Sequence, residues 1–266
     1  MLADTRHARI LTRVGELGEA SVQDLSEWLG VSQATIRRDL NALGDEGRIN
    51  RVRGGGRAIG AGAAAGPSPE GERDEERDER PFQEVARAAH PSKLLVARRA
   101  AGLVSDGDIV LLDIGTTTAL IARHLRGRRI TVVTASLAVL DELRDDPTVE
   151  LVLLGGTLRR SYHSLVGPIT EAGLHRLRAA IAFIGTSGIA PDGTVLDTTI
   201  VEVPVKRAII ESAARTVLVA DETKFPGTGL LPVCGPEAID TLIATERSDP
   251  ATLRTLTELG IEVIHP

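Results

Sequence analysis

The chain has 266 residues, which is long enough for a small domain followed by one of ordinary size. A formal net charge of −6 argues against nucleic acid unless positive charge is concentrated locally, and a single cysteine excludes an intramolecular disulfide bond. We expect a cytoplasmic protein without membrane association, because the sequence carries neither a secretion-signal pattern nor an apolar stretch of spanning length.

Two helices are predicted at the start of the chain. Arg6–Leu17 carries apolar residues at helical spacing, and Ser21 is placed to cap a second helix that Gly30 ends. We expect this second helix, VQDLSEWLG, to bury Trp28 together with its aliphatic residues. A helix, a break and another helix form the opening of a helix-turn-helix.

A third helix, Val31–Leu43, is the centre of this first region. Its apolar residues Ile36, Leu40 and Leu43 share one face, and Ser32 is placed to cap its start. Arg can bind guanine in the major groove, and Thr or Gln can meet other base edges. The residues predicted to contact DNA are therefore Ser32, Gln33, Thr35, Arg37 and Arg38. The alternative is a surface helix with solvated arginines, and the two preceding helices favour DNA binding.

A short β-wing is predicted after Gly47. The run Arg48–Arg53 alternates apolar and basic residues, so its arginines share one outer face. Residues 31–57 carry six Arg against three acidic residues, which concentrates positive charge where the helix and the wing would meet phosphates. Arg51 and Arg53 are predicted to contact the DNA backbone.

Residues 3–58 resemble the winged helix-turn-helix of the DeoR-type family of bacterial sugar-metabolism regulators. The matching features are Val31-Ser32, the string TIRRDL at 35–40, Gly47, Arg51 and Gly54–Gly56. The resemblance implies a DNA-binding domain at 3–58. Residues 59–81, rich in Gly and Ala and then in charge, are predicted to be a flexible linker to a second domain at 82–266.

Apolar strands alternate with helices beyond Phe82, which predicts an α/β domain with a mainly parallel sheet covered on both faces. The predicted strands are Ile109–Leu112, Ile130–Val133, Leu151–Leu154, Ile181–Ile184, Val217–Ala220, Leu242–Ala244 and Ile261–Ile264. The predicted helices are Pro91–Val104 with a cap near Ser92, one ending at Leu125, Leu137–Leu143, Glu171–Leu177, Val205–Ala213 and Ala251–Leu259. Asp192-Gly193 predicts a hairpin turn.

Small, hydroxyl-bearing or charged residues follow five of these strands. Because ligands of such sheets bind beyond the carboxyl ends of the strands, we expect them to form one site. The groups are Asp113 with Gly115, Thr116 and Thr117; Thr134–Ser136; Gly155-Gly156; Gly185–Ser187; and Asp221 with Lys224. A Gly-Thr-Thr-Thr helix start can hold a phosphate, and carboxylates can bind hydroxyl groups. A small phosphorylated polyol is the expected ligand.

Lysine is rare in this chain, with three Lys against 28 Arg. Where a positive charge alone suffices, Arg has mostly been used. Lys93, Lys206 and Lys224 are therefore candidates for positions that need a compact ammonium group, with chance as the alternative. Lys206 also lies four residues after Glu202, so these two could form an ordinary ion pair on a helix surface.

Residues from Phe82 to Thr245 also resemble the sensor domain of the DeoR-type family, whose fold is related to ribose-5-phosphate isomerase and the coenzyme A transferases. The matching strings include LLDIGTTT, VVTAS, LVLLGGTLR, AFIGTSGI and VLVADETKF. Ala135 departs from the Asn that is common in relatives, and the linker is longer than usual. With the strand ends, the resemblance implies an effector-binding set of Asp113, Gly115, Thr116, Thr117, Ser136, Glu202, Lys206, Asp221 and Lys224.

These features predict a DNA-binding repressor of a carbohydrate-catabolism operon, with operator DNA and a phosphorylated sugar as partners. One winged helix-turn-helix domain contacts only a few base pairs, so a homodimer or higher homo-oligomer is expected. Two alternatives stay open: a sugar-phosphate isomerase or deaminase with a DNA-binding appendage and Glu202 as a possible general base, and constitutive DNA binding with an unused pocket. No catalytic residue, metal site or cofactor is predicted, because the six histidines lack ligand spacing and no nucleophile motif is present.

Overall fold

A computed structural model describes residues 3–17, 19–45, 48–52, 55–57 and 82–266 of the chain. The chain divides into two compact units, Met1–Glu72 and Arg73–Pro266. The predicted linker, residues 59–81, lies outside the described residues. Within the described ranges, no helix is both long enough and apolar enough to cross a membrane.

The first unit contains the predicted helices and a small antiparallel sheet. Its described elements are α1 (Ala3–Leu17), β1 (Glu19–Ser21), α2 (Val22–Leu29), α3 (Gln33–Asp45), β2 (Asn50–Val52) and β3 (Gly55–Arg57). Strands β2 and β3 form the predicted wing, and β1 pairs with the other edge of β3. The sequence did not indicate β1, because three residues are too few to show an alternating pattern.

Apolar faces of the three helices meet in one core. The buried side chains include Ile10, Val14, Leu25, Ile36, Leu40 and Leu43. The predicted caps are confirmed, because Ser21 Oγ accepts a hydrogen bond from the backbone N–H of Asp24 at 3.0 Å and Ser32 Oγ accepts one from Thr35 at 3.2 Å. Gly30 ends α2 with a φ of +64°, a conformation that favours glycine.

The prediction that Trp28 is buried is wrong. Its side chain is 40% exposed, and the guanidinium groups of Arg9 and Arg13 lie 4.7 and 5.3 Å from the ring centroid. The negative face of an indole ring attracts cations, and these cation–π contacts stabilise the side chain of Trp28 in its partly exposed position. The helical spacing placed Trp28 near the apolar face of α2 but did not reveal the two arginines of α1 that cover it.

The second unit contains a parallel sheet and two smaller antiparallel sheets in its described part. Its helices are α4 (Phe82–Arg87), α5 (His90–Ala101), α6 (Thr116–Leu125), α7 (Leu137–Leu143), α8 (Pro168–Leu174), α9 (Val203–Glu211) and α10 (Pro250–Glu258). Its strands are β4 (Ile109–Leu112), β5 (Thr131–Thr134), β6 (Glu150–Leu153), β7 (Thr157–Arg159), β8 (Ser164–Val166), β9 (Ile181–Ile184), β10 (Gly188–Ile189), β11 (Val195–Asp197), β12 (Thr216–Ala220), β13 (Leu231–Cys234), β14 (Thr241–Ala244) and β15 (Glu262–Ile264).

The main sheet has the strand order β15-β14-β12-β9-β4-β5-β6, and all its pairings are parallel. From β4 the chain adds β5 and β6 on one side, and it then returns to add β9 on the other side. The sheet therefore reverses its winding between β4 and β9, and ligands of open parallel sheets bind at such a switch point. The predicted α/β class with a mainly parallel sheet is confirmed.

Helices cover both faces of this sheet, as buried parallel strands require. Alternate residues of β4 face opposite layers: Leu111 packs with residues of α8, α9 and α10, whereas Val110 and Leu112 pack with residues of α5, α6 and α7. The antiparallel pair β7–β8 and the sheet β10-β11-β13 lie outside the predictions. The predicted turn at Asp192-Gly193 is confirmed between β10 and β11.

Two predicted helix starts are corrected. Helix α5 begins at His90 without a side-chain cap, and Ser92 Oγ instead donates a hydrogen bond to Glu222 at 3.0 Å. Helix α8 begins at Pro168, three residues before the predicted start at Glu171. Proline is favoured in the first turn of a helix, because the backbone N–H groups of that turn have no acceptor within the helix and proline lacks only this group.

Candidate ligand-binding and nucleic-acid-binding sites

A cavity of about 360 Å³ lies beyond the carboxyl ends of β4, β9 and β12 in the second unit. These strands are neighbours in the sheet and flank the switch point. Such a volume is at the small end of protein ligand pockets, which suits a small ligand. The lining residues include Val85, Lys93, Gly115, Thr116, Thr117, Tyr162, Gly185, Thr186, Ser187, Asp197, Thr198, Thr199, Glu202, Lys206, Asp221, Lys224 and Thr228.

The amino end of α6 forms one wall of the cavity. Gly115 precedes the helix with extended backbone and provides no side-chain cap, and Thr116 and Thr117 follow it. Thr118 turns its hydroxyl inward and donates to the carbonyls of Asp113 and Gly115 at 2.6 and 2.7 Å. Backbone N–H groups at a helix start attract anions, so this wall is suited to a phosphate.

Lys206 forms ion pairs with Asp113 and Asp197, and we call these three residues the cavity floor. It is 3% exposed, it donates hydrogen bonds to Asp113 Oδ2 and to the carbonyl of Gly185 at 3.0 Å, and it lies 3.6 Å from Asp197 Oδ2. Burial alone would lower the pKa of Lys206, but the two carboxylates raise it above its ordinary value. A surface ion pair with Glu202 is therefore excluded for this lysine.

Glu202 pairs with Arg159, a buried side chain at the end of β7. Glu202 directly precedes α9 and makes no side-chain hydrogen bond that caps this helix. The guanidinium of Arg159 lies 5.5 Å from the ring of Tyr162, whose pKa is raised to about 12 by burial. The phenol thus stays neutral and can donate a hydrogen bond into the cavity.

All three lysines of the chain line this one cavity. Lys93 of α5 is buried and donates a hydrogen bond to the carbonyl of Val85 in α4. Lys224 is half-buried in the 3-10 turn Glu222–Lys224, after β12. The rarity of lysine singled out Lys93, but the strand-end pattern did not place it at the site, because it lies in the first turn of helix α5 and not after a strand.

Two buried carboxylate oxygens have no hydrogen-bond partner within the described part of the chain, namely Asp113 Oδ1 and Asp221 Oδ2. The second oxygen of Asp221 accepts a hydrogen bond from the backbone N–H of Thr223 at 2.9 Å, and that of Asp113 accepts one from Gly185 at 3.0 Å. Buried acceptors without donors are costly, so a ligand with hydroxyl groups suits Asp221, which lines the cavity.

Ser136 does not belong to this site. Its Oγ accepts a hydrogen bond from the backbone N–H of Val139 at 3.3 Å and caps α7. Neither Ser136 nor Gly155-Gly156 is among the residues that line the cavity as the structure describes it. They follow β5 and β6, which lie beyond β4 on the side away from β9. Three of the five predicted strand ends therefore meet at the cavity.

Tyr162 and Asp197, which line the cavity, were not singled out from the sequence, and neither was Arg159, which pairs with the lining residue Glu202. Arg159 stood inside a string that matches the family, and its position after an apolar strand was the available signal. Asp197 ends the short strand β11, which showed no pattern of its own. No group of three metal-binding side chains occurs among residues 3–17, 19–45, 48–52, 55–57 and 82–266.

The outer face of α3 has the features expected of a DNA-reading helix. Gln33, Arg37 and Arg38 are exposed, and Thr35 is half-buried beside Ser32. Arg51 lies on β2, and Arg53 lies outside the described residues. The structure therefore places the helix residues on one surface, whereas the two wing contacts remain predictions from the sequence.

Comparisons with known proteins identify a family domain in each of the two units. Two family models match: a DeoR-like helix-turn-helix domain at residues 6–60 and a DeoR C terminal sensor domain at residues 88–246. The chain is 32% identical over 265 residues to the HTH-type transcriptional regulator GlpR of Haloferax volcanii, covering 99% of this chain and 98% of that protein. It is 35% identical over 226 residues to a glycerol-3-phosphate regulon repressor of Haemophilus influenzae, covering 85% and 82%.

Among solved structures, ribose 5-phosphate isomerase A of Methanocaldococcus jannaschii is 20% identical, with a TM-score of 0.39, and the match covers 52% of this chain and 55% of that one.

Proposed function

Because the chain belongs to the DeoR family of DNA-binding transcriptional regulators, we propose that it represses a carbohydrate-catabolism operon and that a phosphorylated polyol or sugar releases it from operator DNA. The observation that carries the proposal is the gathering of all three lysines at one small cavity beside a helix start. Release requires the effector to favour the off-DNA conformation by orders of magnitude.

The cavity has two chemically different ends for such a ligand. The amino end of α6 with Lys93 and Lys224 is suited to a phosphate, because it combines backbone donors with compact cations. Asp221 is suited to hydroxyl groups, because its buried Oδ2 accepts no hydrogen bond within the described residues. Relatives of the chain are named for the glycerol-3-phosphate regulon, so glycerol 3-phosphate is the first ligand to test.

Lys206 has a different role from the one expected from the sequence. It balances Asp113 and Asp197 from within the protein, so we assign it to holding the cavity floor rather than to binding phosphate. The same pairing places the carboxylate of Asp113 beside the backbone N–H of Gly185, at the two strands that flank the switch point. Glu202 is likewise a wall residue held by Arg159.

The wall at α4 offers a route from ligand to DNA. Helix α4 follows directly after the predicted linker, and its residue Val85 both lines the cavity and accepts a hydrogen bond from Lys93. Phe82, which begins α4, packs edge-on against Tyr162 with ring centroids 5.6 Å apart. An anion that draws the ammonium of Lys93 toward itself would weaken the hold on α4, the element joined to the DNA-binding half.

The isomerase or deaminase alternative is weaker on chemical grounds. A general base needs a carboxylate that is available to accept a substrate proton, yet the carboxylate of Glu202 is engaged in an ion pair with Arg159. We therefore propose that the chain is not an enzyme. A stopped assay of isomerisation and deamination across a panel of sugar phosphates tests this directly, and turnover of any member above the uncatalysed rate would restore the enzyme hypothesis.

The remaining parts of the proposal concern organisation. We infer a DNA-binding domain at 3–58, a linker at 59–81 and an effector domain at 82–266, acting as a homodimer or higher homo-oligomer on repeated half-sites. A protein that binds operator DNA works where the chromosome is, so we place it in the cytoplasm. Light scattering of the full chain with and without operator DNA tests the oligomeric state.

Ligand-dependent thermal melting of the full chain tests the effector. The panel contains glycerol 3-phosphate, hexose and pentose phosphates, glycerol and inorganic phosphate. We expect one phosphorylated member to raise the melting temperature and to release DNA, whereas glycerol and phosphate alone do neither at the same concentration. If no member changes either quantity, constitutive DNA binding with an unused pocket becomes the better interpretation.

A further inference from the structure

An ion pair between the half-buried Arg6 of α1 and the buried Asp39 of α3 joins these two helices in the first unit. Asp39 is only 5% exposed, although its neighbour Arg38 is exposed on the outer face of α3. Its carboxylate accepts hydrogen bonds from Nε of Arg6 and, at 2.8 Å, from Nη2 of the same guanidinium. His7 Nε2 lies 3.1 Å from Asp39 Oδ1. Hydrogen bonds from Arg6 hold the pKa of Asp39 below its usual value, so the carboxylate is charged.

An ion pair with two hydrogen bonds restricts the rotation of α3 more than apolar packing does. Ile36, Leu40 and Leu43 bury one face of α3, but aliphatic contacts tolerate small shifts. A guanidinium and a carboxylate that share two hydrogen bonds meet in one planar arrangement. The pair therefore limits rotation of α3 about its own axis.

The rotation of α3 decides where its outer side chains point. A rotation of about 10° moves an atom about 6 Å from the helix axis by about 1 Å. A shift of that size is enough to break a bidentate contact with a base edge, whose distances must stay within a few tenths of an ångström. Arg38 adjoins Asp39 in the sequence, so the position of one side chain follows that of the other.

We propose that Arg6 and Asp39 are positioning residues for DNA recognition, which hold α3 at the rotation from which Arg37 and Arg38 reach the bases. The inference rests on the proposed DNA-binding function of α3. In this view Arg6 acts from inside the domain and does not itself contact phosphate. Its loss affects selective binding more than general attraction to DNA, because the positive outer face stays in place.

The test compares Arg6→Lys, which keeps the charge but lacks the planar fork, with Arg38→Ala as a matched loss of a direct contact. Full-length protein is titrated with a duplex enriched by the wild type from a random-sequence pool, and with an unselected duplex, by fluorescence anisotropy at several salt concentrations. Thermal melting is recorded for each variant. Asp39→Asn provides a second variant that removes the charge from the other side of the pair.

For Arg6→Lys we expect affinity for the enriched duplex to fall about tenfold, as for a lost base contact. Affinity for the unselected duplex, the slope of affinity against salt and the melting temperature should all stay close to wild type. Arg6→Asp and Asp39→Arg should each abolish selective binding when made alone. The double variant that combines them should recover part of it, because the two charges are then exchanged.

Three results would overturn the proposal. Wild-type affinity of folded Arg6→Lys and Asp39→Asn for the enriched duplex would show that the pair does not position the helix. An equal loss on both duplexes with a shallower salt slope would make Arg6 a phosphate contact. Losses that follow a lowered melting temperature would assign the pair to stability alone. Failure of the wild type to enrich any duplex would instead refute the DNA-binding function itself.

Discussion

Charged side chains work in opposite environments on the outer face of α3 and at the cavity floor. On α3, Arg37 and Arg38 are exposed and meet water until DNA arrives, so their presence costs the folded protein little. In the cavity, Lys206 and Asp113 are buried and balance one another inside the protein. An exposed charge can be removed without disturbing the fold, whereas removing one member of a buried pair leaves the other without compensation. Substitutions on the outer face of α3 should therefore change DNA affinity, and substitutions at the cavity floor should change stability.

The largest expected effect is that of Lys206→Met. It leaves two buried carboxylates without their cation and should lower the free energy of unfolding by about 3–5 kcal/mol, as breaking buried pairs does elsewhere. Denaturant titration of the full chain measures it. Adding Asp113→Asn to the Met variant should recover part of the loss. A stable Lys206→Met protein would show that the buried pair is not needed to hold the floor.

The pH dependence sharpens this prediction. The pKa of Lys206 is raised in the folded state, so its stabilising contribution is complete below the ordinary value of 10.5 and is lost only as pH rises through the folded-state pKa. Deprotonation of Lys206 should therefore remove no stability from the wild type between pH 6 and pH 9, and denaturant titration across this range measures it. Wild-type stability that falls steeply between pH 6 and pH 9, with a fall that Lys206→Met abolishes, would contradict a charged Lys206 over this range.

Lys224→Met should affect effector binding, whereas Lys206→Met should affect stability. Lys224 is half-buried, so its loss should cost less stability than the loss of buried Lys206, while effector affinity falls by about 1.5–3 kcal/mol, as for a lost hydrogen bond to a charged group. Operator binding titrated with the stabilising sugar phosphate measures the change. Lys224→Arg should also respond poorly, because the planar fork does not replace a compact ammonium. Normal release by both variants would remove Lys224 from the site.

At α3, Arg38→Ala should leave stability unchanged and weaken binding to the enriched duplex by about 1–3 kcal/mol, with relaxed preference at one base position. Arg37→Ala should behave similarly. Anisotropy titration against duplexes altered at single positions measures both affinity and preference. Unchanged affinity in both variants would exclude this helix face from the interface.

The smallest effect is expected at the wing. Arg51→Ala should weaken binding to all sequences alike and reduce the salt dependence by about one unit, because a phosphate contact releases counterions without reading bases. Binding at several salt concentrations to enriched and unselected duplexes gives the slope. A changed base preference with an unchanged slope would contradict the assignment.

Local patterns accounted for most of the fold. Helical spacing placed Ile36, Leu40 and Leu43 on one face, and Ser21 and Gly30 marked the limits of α2, because caps and periodic burial depend on residues a few positions apart. The apolar runs of the main sheet were found for the same reason. The short strands β1, β10 and β11 were missed, since two or three residues carry no period, and Trp28 was misplaced because its covering arginines come from another helix.

At the site, the sequence determined which residue types would gather at strand ends and that the lysines were special. The tertiary structure decided which ends meet, because the order β12-β9-β4-β5 places the ends of β4, β9 and β12 together and leaves Ser136 outside. It also decided that Lys206 pairs with Asp113, 93 residues away, and Glu202 with Arg159. A buried charge takes whichever opposite charge the strand order brings within reach, and no pattern of neighbouring residues encodes that order.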